Sequence, residues 1–194
     1  MKNLKFQSVF DIIGPVMVGP SSSHTAGAVR IGKIVSAIFG ETPTEVEFQL
    51  FNSFAKTYRG HGTDVALVAG ILGMETDDPD IPRALDIAYE KGIKVYWKIN
   101  KDSNAPHPNT TRITLKNATK TISATGVSIG GGNIQVTELN GFAVNLKMNT
   151  PTLIIVHQDV PGMIAFVTDI LSRYGINIAQ MTVTRENAGE KADR

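Results

Sequence analysis

The strongest constraint on what this chain can become is the switching of its apolar period. Between residues 26 and 39, Ile31, Ile34, Val35 and Ile38 recur at helical spacing, and Gly40 supplies a stop. Directly afterwards, residues 45–51 alternate polar with apolar, placing Val46, Phe48 and Leu50 on one face of a strand. A helical pattern then covers residues 53–73, broken by Gly60-His61-Gly62. Thr63 or Asp64 is expected to cap its second piece, with Leu67, Val68, Ile71 and Leu72 turned inward. Another helix is expected over 79–91, opened by Asp77, Asp78 and Asp80 and closed by Gly92. Residues 93–99 read as a strand and 100–109 as a loop rich in Pro and Asn. Residues 111–115, 120–127 and 134–146 read as an antiparallel set, with turns at Gly130-Gly131-Gly132 and Asn140-Gly141. A short element over 6–13, ending at Gly14-Pro15, precedes them. Interleaved helices and strands predict an α+β chain with α/β-type layers, helices covering a sheet.

The pattern restarts after Met148-Asn149-Thr150-Pro151. Residues 153–157 read as a strand, 163–174 as a helix with Ile164, Val167, Ile170 and Leu171 inward, and 177–184 as a second strand. Residues 185–194 form a polar tail, expected to be mobile. One β-α-β unit of this size buries little by itself and needs a partner surface.

Composition narrows the function classes. The 194 residues carry 19 Lys and Arg against 18 Asp and Glu, a net +1, so no polybasic nucleic-acid surface is expected. The chain has no cysteine, which excludes a disulfide scaffold, a Cys nucleophile, a thiolate zinc site and an iron–sulfur cluster held by this chain alone. Gln7, Ser8 and Asp11 interrupt the apolar residues near the start, so neither an export signal nor a membrane anchor is expected there. A cytoplasmic protein is the default.

Chemistry concentrates in a few places. Ser21-Ser22-Ser23-His24-Thr25 directly precedes a helix, where free N–H groups and the dipole favour an anion. The hydroxyls add donors, and His24 adds a group that titrates near neutrality. The plainer alternative is that one serine caps the helix and the rest are exposed. Arg30, one turn on, offers a bidentate carboxylate contact. Lys56, Arg59, His61, Thr63 and Asp64 form a second concentration around two glycines, which reads either as a ligand at a helix start or as a solvated kink. His107, between two prolines and followed by Asn109, lies in a stiff loop. Gly130 to Gly132 reads as a turn and lacks phosphate-loop spacing. The four histidines show no local metal-ligand spacing. With no G-x-S-x-G elbow and Ser23 adjacent to His24, a Ser/His/Asp hydrolase has little support.

Taken together, Gly19-Pro20-Ser21-Ser22-Ser23-His24-Thr25-Ala26-Gly27, Arg59-Gly60-His61-Gly62-Thr63-Asp64, His107-Pro108-Asn109 and the three glycines closely resemble the β subunit of bacterial iron–sulfur L-serine dehydratases. The resemblance spans nearly the whole chain. It implies that residues 1–148 form the domain also called the allosteric substrate-binding domain, similar to one in some phosphoglycerate dehydrogenases. Residues 152–194, with Asp159-Val160-Pro161-Gly162 before a helix and Gly175-Ile176-Asn177-Ile178 after it, resemble the first half of a ferredoxin-like ACT domain. The likeness stops after the second strand, so that module is expected to be either truncated or completed by another chain.

The resemblance implies conversion of L-serine to pyruvate and ammonia with a partner α subunit that ligates a [4Fe–4S] cluster, one of whose irons takes the leaving hydroxyl. It makes His24 and His61 candidates for proton transfer, without deciding which does which. Ser21, Ser22, Ser23, Thr25, Arg59, Thr63 and Asn109 would contact serine as substrate or effector. Asp159 and Gly162 would contact an amino-acid effector. No metal ligand is expected in this chain, and an open sheet edge favours a homo-oligomer. The competing class is a stand-alone serine-binding sensor that uses the same turn without chemistry.

Overall fold

The computed structural model describes residues 14–147 and 151–184. The element expected over 6–13, the break at Met148-Asn149-Thr150 and the tail 185–194 lie outside the described residues. The chain divides into two units, Met1–Thr150 and Pro151–Arg194.

In the first unit, a π-helical turn, Ser22–Ala26, runs into helix α1, Gly27–Phe39. Strand β1, Glu45–Phe51, leads to helices α2, Asn52–Thr57, and α3, Thr63–Ile71. A 3-10 turn, Ile81–Arg83, opens helix α4, Ala84–Glu90. Then follow strands β2, Lys94–Asn100, β3, Asn109–Lys116, β4, Thr121–Gly130, β5, Asn133–Leu139, and β6, Phe142–Leu146. The strands make one sheet in the order β2-β1-β3-β4-β5-β6. The β1–β2 pair is parallel and the other pairs are antiparallel. This is the layered α+β arrangement that the alternating periods predict.

Periodicity decides which face is covered. Val46, Phe48 and Leu50 of β1 stand opposite Leu115, Ile113 and Thr111 of β3 and are fully buried. Phe48 also stacks on Trp97 of β2, with ring centroids 4.7 Å apart. A buried side chain of this size contributes about 1.5–3 kcal/mol. The opposite face carries polar pairs such as Glu47–Lys98 at 2.9 Å across β1 and β2, both partly exposed and worth about 0–1 kcal/mol. The Asn140-Gly141 link between β5 and β6 has positive φ at both residues, 49° and 88°, as a tight hairpin requires.

The two longest helices of this unit, α1 and α3, lie against each other and run parallel. Thr25 Oγ1 donates to His61 O at one end and Ser36 Oγ donates to Ile71 O at the other, both at 3.0 Å. Between these ties Gly32 meets Gly70. A Cβ on Gly70 would stand 2.1 Å from Val29 O and 2.7 Å from Lys33 N, both main-chain atoms. Helix α3 is buried on nearly every face, from Thr63 through Ile71, as its almost wholly apolar sequence demands. Two expectations are corrected in this region. Neither Thr63 nor Asp64 caps α3: the cap position is Gly62, in the left-handed region at φ 63°, and Asp64 Oδ1 accepts from Val65 N–H. The helix expected over 79–91 starts as a 3-10 turn because Pro82 follows Ile81 at its N-terminus.

In the second unit, helix α5, Met163–Arg173, follows Gly162, which has φ 92°. The two strands expected around it, 153–157 and 177–184, form no ladder among the described residues. A strand needs a neighbour to receive its N–H and C=O groups, and a lone β-α-β segment supplies too little sheet. Of the positions expected inward, Ile164 and Ile170 are exposed, and Phe166 and Tyr174 are exposed with them.

The Gly32–Gly70 contact predicts a large cost for a single methyl group. Gly70→Ala forces two helix backbones apart and is expected to destabilise the chain by about 1–3 kcal/mol. In a thermal melt this corresponds to a midpoint lowered by roughly 2–10 °C.

Candidate functional site

The hydroxyl-rich run folds into the π-helical turn because its own groups satisfy the first amides. Ser21 Oγ accepts from His24 N–H at 3.1 Å, and Ser21 O accepts from Thr25 N–H at 2.8 Å and Ala26 N–H at 3.3 Å. Ser22 O accepts from Gly27 N–H, the five-residue reach that defines the wider turn. One serine therefore is the cap that the plainer reading foresaw. Gly27 allows the turn to seat on the sheet, since a Cβ there would stand 2.2 Å from Ser128 Oγ.

The turn carries His24 into a cage. Its Nδ1 lies 3.0 Å from Ser23 Oγ and its Nε2 lies 2.9 Å from Ser53 Oγ. The His61 ring stands edge-on at 4.8 Å between centroids, and the buried Phe54 ring at 5.3 Å. Burial, reinforced by the neighbouring His61, holds the His24 pKa below its ordinary value of 6.5. His24 is thereby biased to the neutral form that can accept a proton. His61 Nδ1 is buried without a hydrogen-bond partner among the described residues, as are Thr63 Oγ1 and Ser128 Oγ. Because α1 and α3 run parallel, the starts of both helices meet here, and both dipoles favour an anion at this end.

The structure brings together Ser21, Ser23, His24, Thr25 and His61 by direct contacts. Ser22 contributes its carbonyl to the turn. Thr63, fully buried, opens α3 next to this cluster. Arg59 does not join it: exposed, its guanidinium lies over the Tyr58 ring at 5.5 Å. Arg30 Nη1 donates to Gly132 O at 2.7 Å and secures the glycine turn. Asn109 starts β3 with its N–H donated to His107 Nδ1 at 3.1 Å. The loop instead supports the site through Pro108, whose carbonyl accepts Ser53 N–H at 3.0 Å. Asp159 and Gly162 belong to the second unit. Sequence reasoning missed Ser53 and Phe54. Their only signal was a position directly after an alternating strand, a place with no motif of its own.

A cavity of about 520 Å³ opens elsewhere, beneath Ala105 and Pro106 and beside Arg112 and Glu138. There Arg112 Nη2 donates to both Glu138 oxygens, at 3.0 and 3.1 Å, so the charges answer each other. The titratable chemistry lies at the turn instead. No group of three or more His, Asp or Glu side chains among the described residues is placed to hold a metal ion, and the chain has no cysteine. The donor set does not fit an iron–sulfur cluster. No helix among the described residues is long and apolar enough to cross a membrane.

Comparison with known proteins shows the family. Residues 8–139 match the family model of the serine dehydratase beta chain. The chain is 47% identical over 189 residues to a probable L-serine dehydratase beta chain of Bacillus subtilis, covering 97% of this chain and 86% of that one. It is 37% identical over 181 residues to the L-serine dehydratase beta chain of Peptoniphilus asaccharolyticus, covering 93% and 81%. It is also 32% identical over 167 residues to a D-3-phosphoglycerate dehydrogenase of B. subtilis, covering 85% of this chain but 31% of that protein. The matched stretch holds the hydroxyl turn, both caged histidines and the loop that supports them, and the chain belongs to the serine dehydratase beta chain family.

Proposed function

We propose that this chain acts with a cluster-bearing α subunit to convert L-serine to pyruvate and ammonia, contributing the substrate's anion site and the proton-transfer histidines. The observation that carries this reading is the pair of imidazoles at 4.8 Å, one biased to its neutral form and the other with a buried Nδ1 that has no partner among the described residues. The helix starts beside Ser21, Ser22, Ser23, Thr25 and Thr63 bind the substrate carboxylate. His24 and His61 stand where the α-proton is removed and a proton is later returned. Loss of the α-proton and of the hydroxyl as water leaves an enamine, whose hydrolysis gives pyruvate and ammonia. The chemistry at the hydroxyl belongs to the [4Fe–4S] cluster of the α subunit, since this chain has no thiolate to hold one. Arg59 and Asn109 contact the substrate less directly, from the rim.

Residues 1–148 are the catalytic partner of the α subunit, and 152–194 are the first half of an ACT module in which Asp159 and Gly162 face an amino-acid effector. The exposed Ile164, Phe166 and Ile170 of that module suit packing against a second copy of the chain. The cysteine-free chain suits a reducing cytoplasm. A second reading, a serine-binding sensor without chemistry, is favoured by the likeness to a protein named for a different reaction, D-3-phosphoglycerate dehydrogenase.

The two readings separate in one experiment. Purified chain mixed with the α subunit is expected to release pyruvate from L-serine, and the chain alone none. His24→Ala and His61→Ala are each expected to lower kcat by about 10²–10⁴-fold. Full turnover with both histidines changed leaves only the sensor.

The depressed His24 pKa also has a sign. A histidine harder to protonate when folded gives stability that is fully present above 6.5 and is lost as pH falls through its folded value. The urea midpoint of the chain is therefore expected to drop as pH is lowered from 7 towards 5, and less steeply in His24→Gln. The acid limb of the complex's kcat profile should lie below pH 6.5.

A further inference from the structure

Ser53 lies 29 positions from His24 in sequence, yet its Oγ is 2.9 Å from His24 Nε2. We propose that Ser53 is a positioning residue for the reaction, clamping the His24 ring in one of its two flips and tying that orientation to the loop between β2 and β3. The inference rests on reading His24 as a proton-transfer group.

The clamp follows from imidazole geometry. With Nδ1 against Ser23 Oγ at 3.0 Å and Nε2 against Ser53 Oγ, both ring nitrogens face hydroxyls. A half-turn about χ2 would put a ring carbon against each oxygen and lose both hydrogen bonds together. Ser23 alone, a chain neighbour of His24, moves with the same turn and provides no external reference. Ser53 belongs to a different element and does provide one. The Phe54 and His61 rings close the remaining edges of the cage.

Ser53 is itself held firmly. Asn52 takes the left-handed region at φ 47°, uncommon for any residue with a side chain, and so turns the chain from β1 straight into α2. Its Oδ1 accepts Ser103 N–H at 3.0 Å, and the next residue's N–H goes to Pro108 O. Thr57 Oγ1 donates to Ser53 O at 2.9 Å. Residues 103 and 108, at either end of the proline loop, therefore fix the hydroxyl that fixes the ring. The same loop supplies Ala105 and Pro106 above the cavity beside Arg112.

The test separates position from chemistry. In the labelled full chain, the His24 ring protons, assigned by their loss in His24→Gln, are expected to show one set of NOEs to the Phe54 and His61 rings, from one flip. Ser53→Ala is expected to add the set of the flipped ring, and Ser53→Thr to restore the single set. In the complex with the α subunit, Ser53→Ala is expected to lower kcat by roughly ten- to a hundredfold with little change in KM, and to move the acid limb of the kcat profile. Ser53→Thr recovers most of that loss. Asn52→Gly keeps the hydroxyl but removes the Ser103 tie, and is expected to act in the same direction more weakly, also serving if Ser53→Ala melts early. A single unchanged set of ring NOEs and an unchanged acid limb in Ser53→Ala overturn the proposal. If His24→Ala keeps full turnover while the ring still responds to Ser53→Ala, the catalytic reading of His24 fails and the clamp stands.

Discussion

The close approach of α1 and α3 at Gly32 and Gly70 is the constraint on which the rest of the first unit depends. Two backbones in contact without side chains between them let these parallel helices bring their starts close together. The tie from Thr25 Oγ1 to His61 O shows how near those starts come. Neither helix alone makes a site. Together they set two dipole ends, a run of hydroxyls and two imidazoles in one place, with the sheet beneath as the floor. A glycine costs a helix interior up to about 1 kcal/mol relative to alanine, and at Gly32 and Gly70 that cost is offset by the contact it permits.

Much of the fold was legible because burial follows period. Val46, Phe48 and Leu50, then Ile31 and Val35, lie where alternation and helical spacing put them, and the hairpin at Asn140-Gly141 follows from turn chemistry. The failures share one cause, long-range context. Residues 153–157 and 177–184 have strand-like sequences, but strand pairing is a property of two segments, and no ladder forms on them among the described residues. Arg30 also has a long-range role that its position did not signal, since its Nη1 donates to Gly132 O, distant in sequence.

The site was legible in its motifs and not in its supports. Consecutive hydroxyls before a helix and histidine between glycines are dense enough to draw attention, and they do converge. Ser53, Phe54 and Pro108 carry no local pattern. They act through a main-chain turn at Asn52 whose geometry no short motif encodes. His107 and Asn109 shape the loop that presents Pro108 O to Ser53, with Asn109 N–H donated to His107 Nδ1.

The three serines clarify why such a run precedes the helix. A π-helical turn leaves a wider ring of amides to satisfy than an ordinary first turn, and each serine answers a different demand. Ser21 accepts from His24 N–H with its hydroxyl and from Thr25 and Ala26 N–H with its carbonyl, Ser22 O accepts from Gly27 N–H, and Ser23 Oγ lies 3.0 Å from the imidazole Nδ1. The widened turn also swings His24 off the axis of α1 and under Ser53, where a residue inside a regular helix would point along its own face. Replacing the run by alanine would thus remove a cap, a ring contact and the reason for the wider turn at once. The demands are linked, because Ser21 Oγ accepts from the main chain of His24 and also lies 3.4 Å from Ser23 Oγ and 3.5 Å from His24 Nδ1.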